Sequence, residues 1–404
     1  MKSQIDKTPF LRFPKFSDEW DLIDLREVTS IFDGTHQTPK YTENGIPFVS
    51  VENVTDQQKR TKFISPEAFD RDFKNKPRSG DILMTRITAG IIGATAFVEN
   101  DEPLAYYVSL ALIRCKEGVA PRFLRQQIEG QRFKNELHKR IIHVAFPKKI
   151  NLGDIGECSI SLPTLPEQRK IADFLTAVDG RIQQLIQKKV LLEDYKKGVM
   201  QQLFTQAIRF KDDHGNDFPD WEQTQLSTAV SSLDAGVSTN SEDKPVGTNE
   251  LGILKTSCVS NGYFDSSKNK RVIESEEVSR LKEPVTKGSI VISRMNTPAL
   301  VGLSGLVTKS NPNLFLPDRL WAAKPAEGAS PEFIAQLLST SRVRNLLSAR
   351  ATGTSGSMKN ITKGDVLTLP IDLPIYAEQT KIADFLSTID RKIESVATQI
   401  TETQ

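Results

Sequence analysis

From Ile171 the apolar residues step by four and three: Ile171, Leu175, Val178, Ile182 and Leu185, then Leu192, Val199 and Leu203. A 3.5-residue period held this long predicts a long helix whose apolar seam needs a partner. The seam recurs near the C-terminus at Ile382, Leu386, Ile389, Ile393 and Val396, with Ile400 beyond. The flanking stretches, LPTLPEQRKIADFLTAVDGRI from Leu162 and LPIYAEQTKIADFLSTIDRKI from Leu373, align without a gap and share roughly half their residues. Glu378 follows Glu167 by 211 positions, and Asp390 follows Asp179 by the same 211. Each copy is the natural partner of the other. Lys189 and Lys196 fall on the seam of the first helix, with Ile400 in the place of Lys189. A seam lysine fixes register or snorkels its charge outward. At ~1.5 Å per residue the first helix spans about 60 Å and the second about 42 Å. The distal part of the first is therefore expected to outrun its intramolecular partner.

The segments between the helices repeat as well. GIPFVSVENV (45–54) and DILMTRITAG (81–90) are apolar runs rich in β-branched residues, as strands are. GILKTSCVS and KGSIVISRMNT (287–297) hold the same places in the second half. A helix opened by Pro121 (121–140) is matched by one opened by Pro331 (331–350). KINLGDIGECSISLP (149–163) is matched by NITKGDVLTLPIDLP (360–374). Even the lead-ins echo each other: an Arg-Phe pair, a later Phe and then Trp20 or Trp221. The repeating unit is thus a globular domain followed by a long helix. The fold class expected is α+β: two α/β domains separated by two long antiparallel coiled-coil helices, a pseudo-twofold internal repeat. The boundaries fall at 1–161, 162–207, 208–372 and 373–404. The halves diverge most inside the globular domains and least in the helices, as when one scaffold carries two recognition units with different targets.

Composition narrows the class only modestly. The 404 residues are 38% hydrophobic and 26% charged, with a net charge of +2, ordinary for a soluble globular protein. Cys115, Cys158 and Cys258 are scattered, which fits a reducing cytoplasm and neither a disulfide framework nor a zinc cluster. No run of 18 apolar residues is present and the N-terminus has no signal-peptide core, so a cytoplasmic protein is expected.

Enzyme motifs are missing. There is no N-P-P-[YF] or D-P-P-Y tetrapeptide for amino-methyl transfer, no F-x-G-x-G loop for S-adenosylmethionine and no P-loop. The four histidines are dispersed, and no metal or cofactor site is expected. Pro219-Asp220 with Glu242-Asp243-Lys244 has the outline of a metal-dependent nuclease, but Pro219-Asp220 is equally part of the lead-in to Trp221. A purely structural coiled-coil adaptor explains the helices but not two divergent domains.

The duplicated L-P-x-x-x-E-Q-x-x-I-A-x-F-L-x-x-x-D element, each copy following a variable domain that ends in G-D-[IV] and L-P, resembles the specificity subunit of type I restriction-modification systems over essentially the whole chain. The resemblance implies a non-catalytic subunit with two target-recognition domains, each reading half of a split double-stranded DNA sequence. It also implies helices that dock two methyltransferase subunits, with restriction subunits joining that core. Under it, the distal end of the first helix is expected to meet a methyltransferase subunit.

DNA contacts should combine basic residues at phosphates with a few side chains at base edges. Arg86 and Arg294 each end an apolar strand and are followed by polar residues, Thr88 in one case and Asn296 in the other. Arg suits guanine and Asn adenine. The run ATGTSGSMKNI (351–361) offers Thr354, Ser355, Ser357, Lys359 and Asn360 in what reads as a flexible phosphate-binding loop. Its counterpart, HVAFPKK (143–149), offers Lys148 and Lys149. The runs Lys59-Arg60 and Lys268 to Arg271 read as solvated faces, with phosphate contact as the alternative.

Overall fold

The computed structural model describes residues 9–55, 61–260, 262–355 and 358–404, with 354 and 355 as backbone only. Two compact units divide inside the first long helix, one comprising residues 1–181 and the other 182–404.

The first unit is built on a four-stranded antiparallel sheet in the order Thr29–Asp33, Leu110–Cys115, Ile82–Thr85, Thr95–Phe97. Register sets Ile82 against Ile113 and Leu83 against Leu112. Alternate residues point to opposite faces, and both faces are covered. Ile82, Met84 and Ile113 pack with Leu124, Ile128, Phe133 and Leu137 of two helices. Leu83, Leu110 and Leu112 pack with Phe48, Phe69, Phe73 and Tyr106. That two-sided burial is why Ile82, Leu83 and Met84 read as an unbroken apolar run. The second face is closed by a small sheet in which Ile46–Val49 runs parallel to Ala105–Tyr106.

The second unit repeats this plan. Its sheet runs Val230–Ala235, Leu320–Pro325, Ile290–Ser293, Ser304–Leu306. Ile290 and Ile292 face the helical layer, while Val291, Leu320 and Ala322 face a second sheet containing Leu251–Leu254. Gly93 and Gly302 mark one repeated constraint. Both have positive φ, and a Cβ would meet Leu137 at 2.9 Å or Leu347 at 3.1 Å. The chain must pass this close to the helix, and only glycine permits it.

Each Pro-initiated helix is two helices, not one. The first breaks at Gly130, between Pro121–Glu129 and Gln131–Arg140. The second breaks at Thr340, whose side chain accepts from Val343 N and caps the helix Ser341–Arg350. An extended residue at each break re-aims the second helix across the sheet. Hydrophobic spacing alone continued through both.

The Glu-Gln pair common to the long helices has a structural meaning. Glu167 is 1% exposed and receives Arg12 through Nε and Nη2, both at 2.7 Å. Glu378, with no exposure, receives Arg209 at 3.1 and 2.8 Å and Trp221 Nε1 at 3.0 Å. The echoed Arg-Phe pair is therefore half of a bidentate clamp. Gln168 accepts from Ala120 N and donates to Pro163 O; Gln379 accepts from Ser330 N and donates to Pro374 O. Each Gln thus ties the start of its long helix to the turn before the Pro-initiated helix.

The long helices span Leu165–Phe204 and Tyr376–Thr403. In the second unit, Leu192, Val199 and Leu203 pack with Ile382, Leu386, Ile389 and Ile393, and Lys196 pairs with Asp390 at 2.7 Å. The two segments run antiparallel. This overturns the expectation of an unpartnered distal end: in an antiparallel pair it is the far end of the first helix that meets the start of the second. Lys196 is a register pin facing a carboxylate. Lys189 pairs with Glu193 of its own helix. Of the first seam, Leu185 is buried, Ile171, Val178 and Ile182 are half-buried and Leu175 is exposed; Ile382 to Val396 are buried throughout the second. No helix among the described residues is long and apolar enough to cross a membrane.

Removing Glu378 leaves Arg209 with only the fully exposed Asp220, 3.7 Å away, as an anionic partner. Glu378→Ala is expected to destabilise the second unit by about 3 kcal/mol, and Asp220→Ala, at a fully exposed carboxylate, by less than ~0.5 kcal/mol. Denaturant unfolding followed by tryptophan emission would measure both, and equal effects would contradict the clamp.

Candidate nucleic-acid interface

The candidate residues of each half converge on one short β-ribbon. In the first unit, Ile87–Thr88 pairs antiparallel with Lys148–Lys149, setting Lys148 opposite Thr88 and Lys149 opposite Ile87. In the second, Met295–Asn296 pairs with Met358–Asn360, setting Asn296 opposite Lys359 and Met295 opposite Asn360. The backbone repeats too. Arg86 N donates to Ser109 O and its carbonyl accepts from Ile150 N. Arg294 N donates to Arg319 O and its carbonyl accepts from Ile361 N. Two residues distant in sequence are thus held at the same strand tip in each half.

The run 351–361 is not the expected loop. Thr352–Ser355 pairs with Met358–Asn360 as a hairpin, giving the second ribbon a third strand. Thr354 and Ser355 lie on that strand; Ser357 lies outside the described residues. Small and hydroxyl residues read as a loop, but the edge offered by Met358–Asn360 recruits them as a strand. In the first unit the corresponding contact is a bridge between Ile142 and Lys149.

The two arginines sit in different surroundings, and neither forms an ion pair among the described residues, so neither is a surface salt bridge. Arg86 is half-buried, and its Nε and Nη1 are buried without a hydrogen-bond partner. Burial pulls this guanidinium below its ordinary pKa, with Asp33 opposing the shift. It remains charged at neutral pH, and buried unpaired donors are costly. Arg294 lies over the Trp321 ring, 5.3 Å from its centroid, and its Nε is 3.5 Å from Asn360 Oδ1. Trp321 sits opposite Ile292, and in the first sheet Ala111, opposite Met84, holds that place. The aromatic support of Arg294 is thus particular to the second half. It was missed in the sequence because the pairing of strands, not their spacing, brings it beneath the arginine.

Other placements follow. Lys148 and Lys149 are exposed, and neither makes an ion pair among the described residues. Thr88 Oγ1 accepts from Gly90 N, and Asn296 donates to Ser293 Oγ. Lys359 is half-buried. In the run Lys268 to Arg271, Arg271 is held by Glu242 and Glu250, both at 2.7 Å; Lys59-Arg60 lies outside the described residues. The nuclease outline is dispersed. Glu242 serves Arg271, Asp243 serves Lys255 at 2.6 Å, and Asp220 is fully exposed. Burial raises the thiols of Cys115 and Cys258 to about 12 and that of Cys158 to about 11, so all three are protonated and unreactive.

Two α/β domains of one plan, each carrying an arginine-tipped ribbon and each clamped to a long helix, define a duplicated recognition protein. The family model of the type I restriction modification DNA specificity domain matches residues 17–193 and again 237–403. The chain belongs to this family, whose members supply DNA-binding specificity to type I restriction-modification systems. It is similar to a Methanocaldococcus jannaschii protein assigned as the MjaX type I specificity subunit, with 26% identity over 400 residues covering 93% of this chain and 88% of that one. It is also similar to the EcoKI specificity subunit of Escherichia coli K12, with 21% identity over 412 aligned positions covering 96% and 87%. The fold is shared with the crystal structure of the type I S subunit from M. genitalium, at TM-score 0.61 and 12% identity, covering 98% of this chain and 96% of that one.

If Arg86 meets a base edge, Arg86→Ala should cost about 1–3 kcal/mol of binding and relax one base position in one half of the site. Lys149→Ala should weaken binding to all sequences alike and reduce the salt slope by about one. Titrations on matched and mismatched duplexes at several salt concentrations distinguish these outcomes; a uniform loss for Arg86→Ala would reassign it to phosphate.

Proposed function

We propose that this specificity subunit reads a bipartite double-stranded DNA target, one half with each globular domain. In this reading residues 1–161 and 208–372 are the recognition domains, and 162–207 and 373–404 are the spacer helices that set the gap and dock two methyltransferase subunits. Restriction subunits join that core in the cytoplasm, and the chemistry belongs to those partners. The observation that carries the reading is the recurrence of one arginine-tipped ribbon, on equivalent strands, in two domains whose other surfaces differ. A shared backbone frame with Lys148 and Lys149 in one copy and Lys359 and Asn360 in the other suits two different half-sites. The relatives' names, type I specificity subunits, support the assembly, as does the likeness in fold (TM-score 0.54, 17% identity, covering 98% of this chain and 96% of that one) to a chain from a study of type I R-M complex assembly.

Methylome sequencing of a host carrying this chain and its methyltransferase should reveal a split motif with adenine methylation. Replacing residues 20–150 with the first domain of another family member should then change one half of the motif only; a change in both halves would sink the two-module reading.

The spacing role has its own test. Seven residues inserted into each long helix preserve the seam and add about 10.5 Å of helix. At about 3.4 Å per base pair, the gap should lengthen by up to about three base pairs while both half-sites stay the same. An active variant with an unchanged gap would remove the ruler from the proposal.

A further inference from the structure

One carboxylate of the second unit gathers three elements distant in sequence. Asp390, midway along the second long helix, has 21% of its side chain exposed. Lys196 of the first long helix lies 2.7 Å from one carboxylate oxygen and 2.8 Å from the other. The Tyr263 hydroxyl, from the strand pair Val259–Ser260 and Tyr263–Phe264, donates to Oδ1 at 2.8 Å. Gln336 Nε2, from the helix Pro331–Ser339, donates to Oδ2 at 3.1 Å. The Lys196 ammonium also lies over the Tyr263 ring, 5.7 Å from its centroid. The pairing of the two helices and the seating of the globular domain upon them meet at the same two oxygens.

A short path leads from this carboxylate to the candidate DNA surface. Gly262, beside Tyr263, bridges to Gly305, where a Cβ would come within 2.5 Å of the Tyr263 backbone. Gly305 belongs to the strand Ser304–Leu306, whose register partner is Ile290–Ser293. Arg294 is the next residue of that strand's chain. A backbone bridge and the paired strands Ser304–Leu306 and Ile290–Ser293 therefore link the anchored tyrosine to the arginine-tipped ribbon. Burial, and then the charge of Asp390, hold the Tyr263 phenol above its usual pKa, so it stays a hydrogen-bond donor.

The repeat supplies an internal control. Asp179 holds the place of Asp390 in the first copy of the helix. It is exposed and makes no hydrogen bond or ion pair among the described residues.

We propose that Asp390 is a positioning residue for DNA reading by the second domain, fixing the angle at which the Arg294 ribbon is held on the helix pair. Two half-sites on one duplex must be met together, so slack at this anchor loosens both base discrimination in the second half-site and the gap. The proposal rests on the half-site reading above.

The test uses the full-length chain with its methyltransferase and duplexes carrying single mismatches in either half or a gap altered by one base pair. Asp390→Asn should reduce discrimination in the second half-site about fivefold, the size of one ordinary hydrogen bond's net contribution, and should admit the altered gap. Discrimination in the first half-site should not change. Tyr263→Phe, which removes only the hydroxyl, should act in the same direction. The double variant should be less damaged than the two effects multiplied, because both act through one contact. Asp179→Asn should match the unaltered chain. A uniform loss on every duplex that follows a lowered melting temperature, or an equal effect from Asp179→Asn, would overturn the proposal. If the unaltered chain directs methylation of no split motif, the half-site reading itself fails. The anchor is then judged by hydrogen exchange: Asp390→Asn must speed exchange at Tyr263 and Phe264 and leave the first unit unchanged, and no acceleration would overturn it.

Discussion

A carboxylate with almost no exposure to solvent is tolerable only when its charge is met by partners fixed in place. Glu167 and Glu378 are such groups, and much else in the molecule hangs on them. Each draws in an arginine from the segment that leads into its domain, so the first strand of the domain and the first turn of its long helix are brought together. The neighbouring Gln168 or Gln379 then fastens that turn to the backbone ahead of the Pro-initiated helix. The apolar seam of the helix drives association, but it does not say where on the helix a domain should sit. The clamp does, because a bidentate arginine admits one geometry.

With its base fixed, each domain can vary elsewhere. The sheets are covered on both faces, so their inward positions have to stay apolar, and the freedom to change lies at the strand tips. There the two halves share a backbone arrangement and differ in side chains. Arg86 has Ala111 in the place where Arg294 has Trp321, and Lys149 stands where Asn360 stands in the other ribbon. The Arg294 guanidinium lies over a ring, whereas that of Arg86 has two buried donors without a partner. Two domains of one plan therefore carry different donor patterns at their strand tips without altering the fold that carries them.

Much of this was legible in the chain. The seams were, because a sustained 3.5-residue apolar period suits a paired helix and little else. The central strands were too, since burial on both faces leaves a run such as Ile82 to Met84 with no polar alternation. The placement of Arg86 beside Thr88 at a strand tip also followed from local pattern. The breaks at Gly130 and Thr340 were not legible, because hydrophobic spacing continues across them and only the sheet beneath demands the change of direction. Nor was the hairpin at 352–360, whose glycines and hydroxyls favour a loop until a neighbouring strand edge pairs with them. The pairing of the first helix's distal end was hidden as well, because helix length says nothing about which ends meet; antiparallel pairing decided that.

The sequence by itself determined the duplication, the two long helices, the central strand of each domain and the family to which the chain belongs. All of these are carried by periodicity and by identical residues at a constant offset. Tertiary structure decided what the identical residues do. Asp179 and Asp390 stand in the same motif, yet one faces solvent and the other collects Lys196, Tyr263 and Gln336. The physical reason is that a hydrogen bond depends on what lies within about 3 Å, and at Asp390 those neighbours come from segments 54 to 194 positions away in the chain. A local motif can place a carboxylate on a helix face, but only the packed fold supplies the groups that meet it.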